Sequence, residues 1–194
     1  MSRLVVNTLE AGADANGVIG VVNNSILKSP GSVVQTKFVR SDRRIQYSAP
    51  ASNSTGTTIT DLNLTISPKF SDSLLIMEWM INGEIHHDAI FNIHRNGQLI
   101  TDEGFESYNR ESGQQVWSGI VAAHYDNNQD STPSNFFLQY AIPAVNTASR
   151  TYAPAVSSSG TAAYTLSLNR TIASLGANAY ETMISTGMIM EVVQ

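Results

Sequence analysis

Two groups of side chains in this 194-residue chain have the types and spacing to do chemistry. One is His86-His87-Asp88 with His94 nearby, the only cluster of metal-ligand types. Adjacent strand residues point to opposite faces, so His86 and His87 reach one ion only from a turn, or by one histidine per chain meeting on a symmetry axis. The other group is Asp102, Glu103, Glu106 and Glu111. A glycosidase needs two carboxyls roughly 5 to 10 Å apart across a groove, one of them in an apolar pocket that raises its pKa. These acids instead lie among Gly, Ser and Asn, which predicts a solvated acidic loop. The chain has no Gly-x-Ser-x-Gly elbow, no His-Glu-x-x-His pair and no phosphate-cradling glycine loop. The expectation is a protein that is not an enzyme, with no catalytic residue, metal or cofactor. The remaining candidates are the aromatics Tyr108, Trp117, Tyr125 and Tyr152, read as lying in or beside Ser/Asn/Gly-rich loops. Rings among small polar neighbours suit contact with a partner surface or a glycan.

The elements that must position these groups read as strands. Leu62, Leu64 and Ile66 alternate with polar residues, the period-2 pattern of a half-buried strand. Asn96-Gly97 between Phe91–Arg95 and Gln98–Thr101 predicts a type I′ hairpin that pairs His94 with Leu99 and puts Phe91, Ile93 and Ile100 on one face. Further strands are expected at 33–39, 116–125, 136–142, 164–168 and 183–193, with loops at 41–56, 102–113 and 149–160. Residues 171–180 fit neither pattern cleanly. Segments 73–82 and 183–193 are apolar on both faces: Leu74, Ile76 and Met80 oppose Leu75, Met77, Trp79 and Ile81, while Ile184, Met188, Met190 and Val192 share a face. Such strands are either central in a two-layer core or covered again by a partner subunit. Trp79, Met188 and Met190 are therefore candidate oligomer-interface residues, and a homotrimer is expected. The whole reads as an all-β, jelly-roll-like β-sandwich body over 31–194. Residues 1–30 are apolar in places yet unable to fold alone, and form an extended N-terminal arm or anchor.

Composition narrows the partners. Charged residues make up 14% of the chain, against an average of about 25%, and the net charge is −5. Nucleic acid needs clustered Lys and Arg, and only Arg40, Arg43 and Arg44 come close, so no nucleic acid is expected. Cysteine is absent, which removes disulfides and thiolate metal sites. No apolar run approaches the roughly 20 residues of a membrane span, and the start lacks a signal-peptide core. The expected place of synthesis is a cytoplasm, without membrane insertion.

Three stretches carry a family likeness. Met1-Ser2-Arg3-Leu4-Val5-Val6-Asn7-Thr8-Leu9 resembles the Met-Ser-x-Leu-x-Val-Asn-x-Ile opening of small structural proteins of tailed bacteriophages, particularly marine and cyanophage types. Asp61 to Lys69, followed by Ser73-Leu74-Leu75-Ile76, is similar to their threonine-rich strand and Thr-Pro-Lys segment, with Ser67 where Thr is usual. Phe91 to Ile100 matches their Phe-x-x-x-Arg-x-Gly-x-x-Ile hairpin. The resemblance implies a virion component assembled in the bacterial host cytoplasm, a β-sandwich and commonly a trimer. It would be a tail-fibre or knob module for particle attachment and host-surface contact; the alternative is a trimeric decoration (cement) protein that stabilises the head. Its expected partners are tail or major capsid proteins, reached through residues 1–30, and a host cell-surface glycan or protein.

Overall fold

The structure is a computed structural model that describes residues 29–51, 54–100, 133–173 and 181–194, plus the backbone of short strands at 107–108, 115–116 and 120–122. The strands are β1 (Val33–Ser41), β2 (Ile45–Ala49), β3 (Thr57–Thr58), β4 (Leu64–Ile66), β5 (Leu74–Glu84), β6 (Ala89–Arg95), β7 (Gln98–Leu99), β8 (Ser107–Tyr108), β9 (Gln115–Val116), β10 (Ile120–Ala122), β11 (Ser134–Pro143), β12 (Arg150–Ser158), β13 (Tyr164–Leu168) and β14 (Ser185–Val192), with a 3₁₀ turn at Thr60–Leu62. They form two antiparallel sheets facing each other, an all-β sandwich, with β8 and β9 as a separate ribbon. In sheet I the order is β1-β14-β5-β13-β2, and β11 lies along the other edge of β5. Sheet II runs β10-β6-β12-β3, with β4 also on β12 and β7 also on β6.

β5 organises the core. Its odd residues Leu75, Met77, Trp79 and Ile81 are wholly buried between the sheets. Phe136 of β11 meets Phe91 of β6 across the gap, ring centroids 4.9 Å apart. Trp79 Nε1 donates to the Leu62 carbonyl at 3.1 Å, so the indole bridges sheet I to the 3₁₀ turn and its one polar atom is satisfied. Opposite Trp79 in the ladder stands Gly187, where a Cβ would fall 2.4 Å from the indole Cδ1. The glycine is there because the ring occupies that space.

The predicted hairpin is present. His94 pairs with Leu99, Asn96 and Gly97 take φ of 53° and 79°, and Phe91, Ile93 and Ile100 are all buried. All three segments read as loops contain strands, the shortest being β8 within 102–113. β2 lies within 41–56, and its Tyr47 and Ala49 are buried. β12 occupies 150–158 and is the central strand of sheet II, buried on both faces. Its Ala, Ser and Pro154 hide it from a hydrophobicity pattern. Pro154 is tolerated because its carbonyl accepts from Ile59 N (2.8 Å) on the edge between β3 and β4, where the ladder is interrupted and no N–H is required. The expected strand at 64–66 is preceded by a 3₁₀ turn rather than extended chain at Leu62. The arm, apart from residues 29 and 30, lies outside the described residues.

A buried carboxylate fastens the end of the sandwich. Glu191 of β14 accepts from the main-chain amides of Lys69 (2.8 Å) and Phe70 (2.9 Å), from Ser73 Oγ (2.7 Å) and from Gln35 Nε2 (2.5 Å). Burial alone would raise its pKa, yet the donors from Gln35, Lys69, Ser73 and Phe70 prevail and hold it below the ordinary glutamate value.

Candidate functional site

The even residues of β5 face away from the core, and their neighbours in register build one continuous surface. Across β1, β14, β5 and β11 the rows are Phe38–Met188–Glu78–Gln139, then Thr36–Met190–Ile76–Ala141, then Arg40–Thr186–Met80–Phe137. Phe38 is 65% exposed, Phe137 55% and Met80 40%. Four strands at about 4.8 Å spacing make a face about 15 Å wide. It runs from one strand that has a single ladder partner among the described residues, β1, to another, β11. Isolated surface apolar residues are ordinary, whereas a contiguous set with two phenylalanines makes this face a candidate contact surface. Its one carboxylate in these rows, Glu78, accepts from Gln139 Nε2 at 2.5 Å, and Arg40 at the rim pairs with Asp42 at 3.2 Å.

Met188 and Met190 stand on this face, half-buried. Trp79 does not. It belongs to the opposite side of β5 and lies in the core at 0% exposure, which corrects its expected place at an interface. Tyr152 is likewise no loop residue: it sits in β12 opposite Arg95 and Leu64, fully buried. Tyr108 falls in β8, and Trp117 and Tyr125 lie outside the described residues, as do Asp102, Glu103, Glu106 and Glu111.

The histidines are held apart in separate settings. His94 is buried on the outer side of sheet II, where Nε2–H donates to the Thr55 carbonyl (2.9 Å), leaving Nδ1 to accept from the Thr58 hydroxyl (2.6 Å). His87 stacks on Tyr164 at 4.8 Å and meets Ser159 Oγ at 3.2 Å. Among the described residues no three His, Cys, Asp or Glu side chains come together to hold a metal ion. The basic cluster is divided too, since Arg43 turns to Asp61 at 3.2 Å while Arg40 keeps Asp42. Asp61 also accepts from the Tyr47 hydroxyl; burial first, and this carboxylate second, push the tyrosine pKa up. These contacts hold β2 against the 3₁₀ turn.

Two recesses flank the hairpin turn at Asn96. One, of about 300 Å³, lies between Arg95-Asn96 and the turn 145–150; the other, of about 320 Å³, lies over Thr58, Asn63, His94 and Thr151. Sequence reasoning missed both. Arg150, which lines the first, bonds to main-chain carbonyls, and such partners leave no pattern in side-chain types.

No protein-family model matches this chain, and no curated protein matches it. Among solved structures, one similar chain is the EclA C-terminal domain, described as a sugar-binding protein. The two are 10% identical, the match covers 86% of this chain and 96% of that one, and the TM-score is 0.29. At that score the overlap constrains neither fold nor ligand. Among the described residues no helix is long and apolar enough to cross a membrane.

Proposed function

We propose that this chain is a non-enzymatic structural protein of a tailed-phage particle, working as a homotrimeric tail-associated knob. The carrying observation is the open apolar face of β1, β14, β5 and β11, centred on Phe38, Met80, Phe137 and Met188. Its occupant is another copy of the chain. The face is close to neutral, with Glu78 held by Gln139 and Arg40 held by Asp42, so copies approach without like-charge repulsion. Closed symmetric association is also the commonest state of soluble oligomers. The virion assignment draws on the resemblance of residues 1–9, 61–76 and 91–100 to phage structural proteins. Residues 1–30 would fasten the trimer to the particle.

Gold-labelled antibody raised against the purified protein tests the reading on intact virions of the phage that encodes it. Grains on the tail are expected. Grains spread over the head, or none on the particle, contradict the tail assignment.

A further inference from the structure

Arg150 is an unusual arginine. It is 6% exposed, yet none of its hydrogen-bond partners carries a charge. Nε donates to the Ala148 carbonyl (3.3 Å), and Nη2 donates to the carbonyls of Ala144 (2.6 Å) and Asn146 (2.5 Å) and to Asn146 Oδ1 (2.9 Å). Nη1 makes no hydrogen bond among the described residues, and Arg150 lines the 300 Å³ recess. A buried cation surrounded by neutral dipoles is only partly compensated, and an oxyanion within reach of Nη1 would complete it. The turn is built around this group. Val145, flanked by the two carbonyls that Nη2 holds, has φ of +62°, a conformation costly for a β-branched residue. Close by, Asn146 Nδ2 and the exposed Ser149 hydroxyl are uncommitted among the described residues, and both can donate. No carboxylate lines the recess.

The second recess shares Asn96 with the first. Asn96 Oδ1 accepts from Thr151 N at 2.9 Å, leaving Nδ2 free to donate, and the exposed Asn63 side-chain amide has no hydrogen-bond partner among the described residues. Around them stand Thr58, Thr60 and Thr151, whose hydroxyls are bonded to His94, Tyr47 and Thr65, and Ala153 is the only lining side chain made of carbon alone. That lining holds no large apolar side chain, and the first recess only the exposed Val145, so the apolar or aromatic groups that protein and lipid partners use find little to anchor on. It does suit a ligand that presents many hydroxyls.

We infer that the two recesses form one site for an acidic saccharide. Its carboxylate or sulfate sits at Arg150 Nη1 with Asn146 and Ser149, and the hydroxyls of the adjoining sugar ring meet Asn96 and Asn63. The net charge of −5 does not oppose this, because carboxylates beyond about 8 Å are screened at physiological salt. The site lies within one chain and away from the apolar face of sheet I, so it stands whether or not the protein is a trimer.

Calorimetric titration of the full-length protein tests it with five probes: a trimeric galacturonate, a sulfated galactose trimer, the neutral galactose trimer, inorganic sulfate and an aspartate-rich peptide. At least one acidic saccharide should bind about tenfold or more tightly than the neutral trimer, one charge-assisted contact being worth about that factor. Whichever acidic trimer binds tighter identifies carboxylate or sulfate as the group read. Ser149→Asp sets a competing carboxylate in the recess without touching the Arg150 clamp, and should weaken the acidic saccharides about tenfold. Asn63→Ala should weaken saccharide binding and leave inorganic sulfate unchanged. Equal binding of neutral and acidic trimers, tighter binding of the peptide, sulfate binding as tightly as the sulfated trimer, an unaffected Ser149→Asp variant, or no binding by any probe would each overturn the proposal.

Discussion

The two outer faces of this sandwich are opposites. Sheet II carries polar and small residues outward, and they are covered: Asn92 and Ser157 are each 1% exposed, with His94, Ala153 and Ala155 buried beside them. Sheet I carries phenylalanine and methionine outward, and they are open to solvent. Hydrophobicity alone would assign these roles the other way. The polar face is closed in part by matching backbone groups, as where Thr55 presents its carbonyl to His94 and β3 completes the ladder along β12, while Asn92 Oδ1 is buried with no partner among the described residues. The apolar face has no such cover among the described residues. Its side chains lie outside the core, which is complete without them.

The largest effect on this contrast comes from the face that is truly core. Gly187→Ala drives a methyl into Trp79 and should cost about 3 kcal/mol, read as a drop in denaturant midpoint. A neutral result would mean that the indole is free to move, and the assignment of Trp79 to the tight interior would fail.

Next is Glu191→Gln, which keeps the shape but removes the charge from four donors, at about 2 kcal/mol. The folded carboxyl titrates below the unfolded one, so its contribution is complete above the unfolded value of about 4.3 and disappears as pH falls through the lower folded value. Acid unfolding of the native protein should therefore steepen in that window, and the variant should lose this component. Identical acid profiles would contradict the nest.

His94→Ala leaves the Thr55 carbonyl and the Thr58 hydroxyl without their partner and opens the covered face, at about 1 to 2 kcal/mol. The smallest effect on folding belongs to Phe38→Ser, within about 0.5 kcal/mol for the isolated chain, because a side chain 65% exposed buries little there. If its stability dropped as far as that of Gly187→Ala, the face would be part of the core and the contrast would collapse.

Much of the fold was legible where pattern and turn chemistry agree. The Asn96-Gly97 hairpin and the alternation of Leu64 and Ile66 in β4 and of Tyr164, Leu166 and Leu168 in β13 follow from residue types alone. β12 was not legible, because it is buried on both sides by close approach of small residues rather than by large apolar ones. The candidate interface was half legible. Parity within one strand separates Met188 and Met190 from Ile189, but it cannot say which parity of β5 lies beside them. That needs the register Met188↔Glu78 and Met190↔Ile76, which puts Trp79 on the other side. Contacts such as Glu191 to Lys69, more than a hundred residues apart, and the Arg150 clamp on main-chain carbonyls leave no trace in composition or spacing.

The most direct test is the mass of the native protein in solution by light scattering, beside a Phe38→Glu/Met188→Glu variant. A particle of three 21.0 kDa chains is expected for the native protein, and a folded monomer with an unchanged circular dichroism spectrum for the variant. A native monomer, or a variant that still forms the trimer, would contradict it.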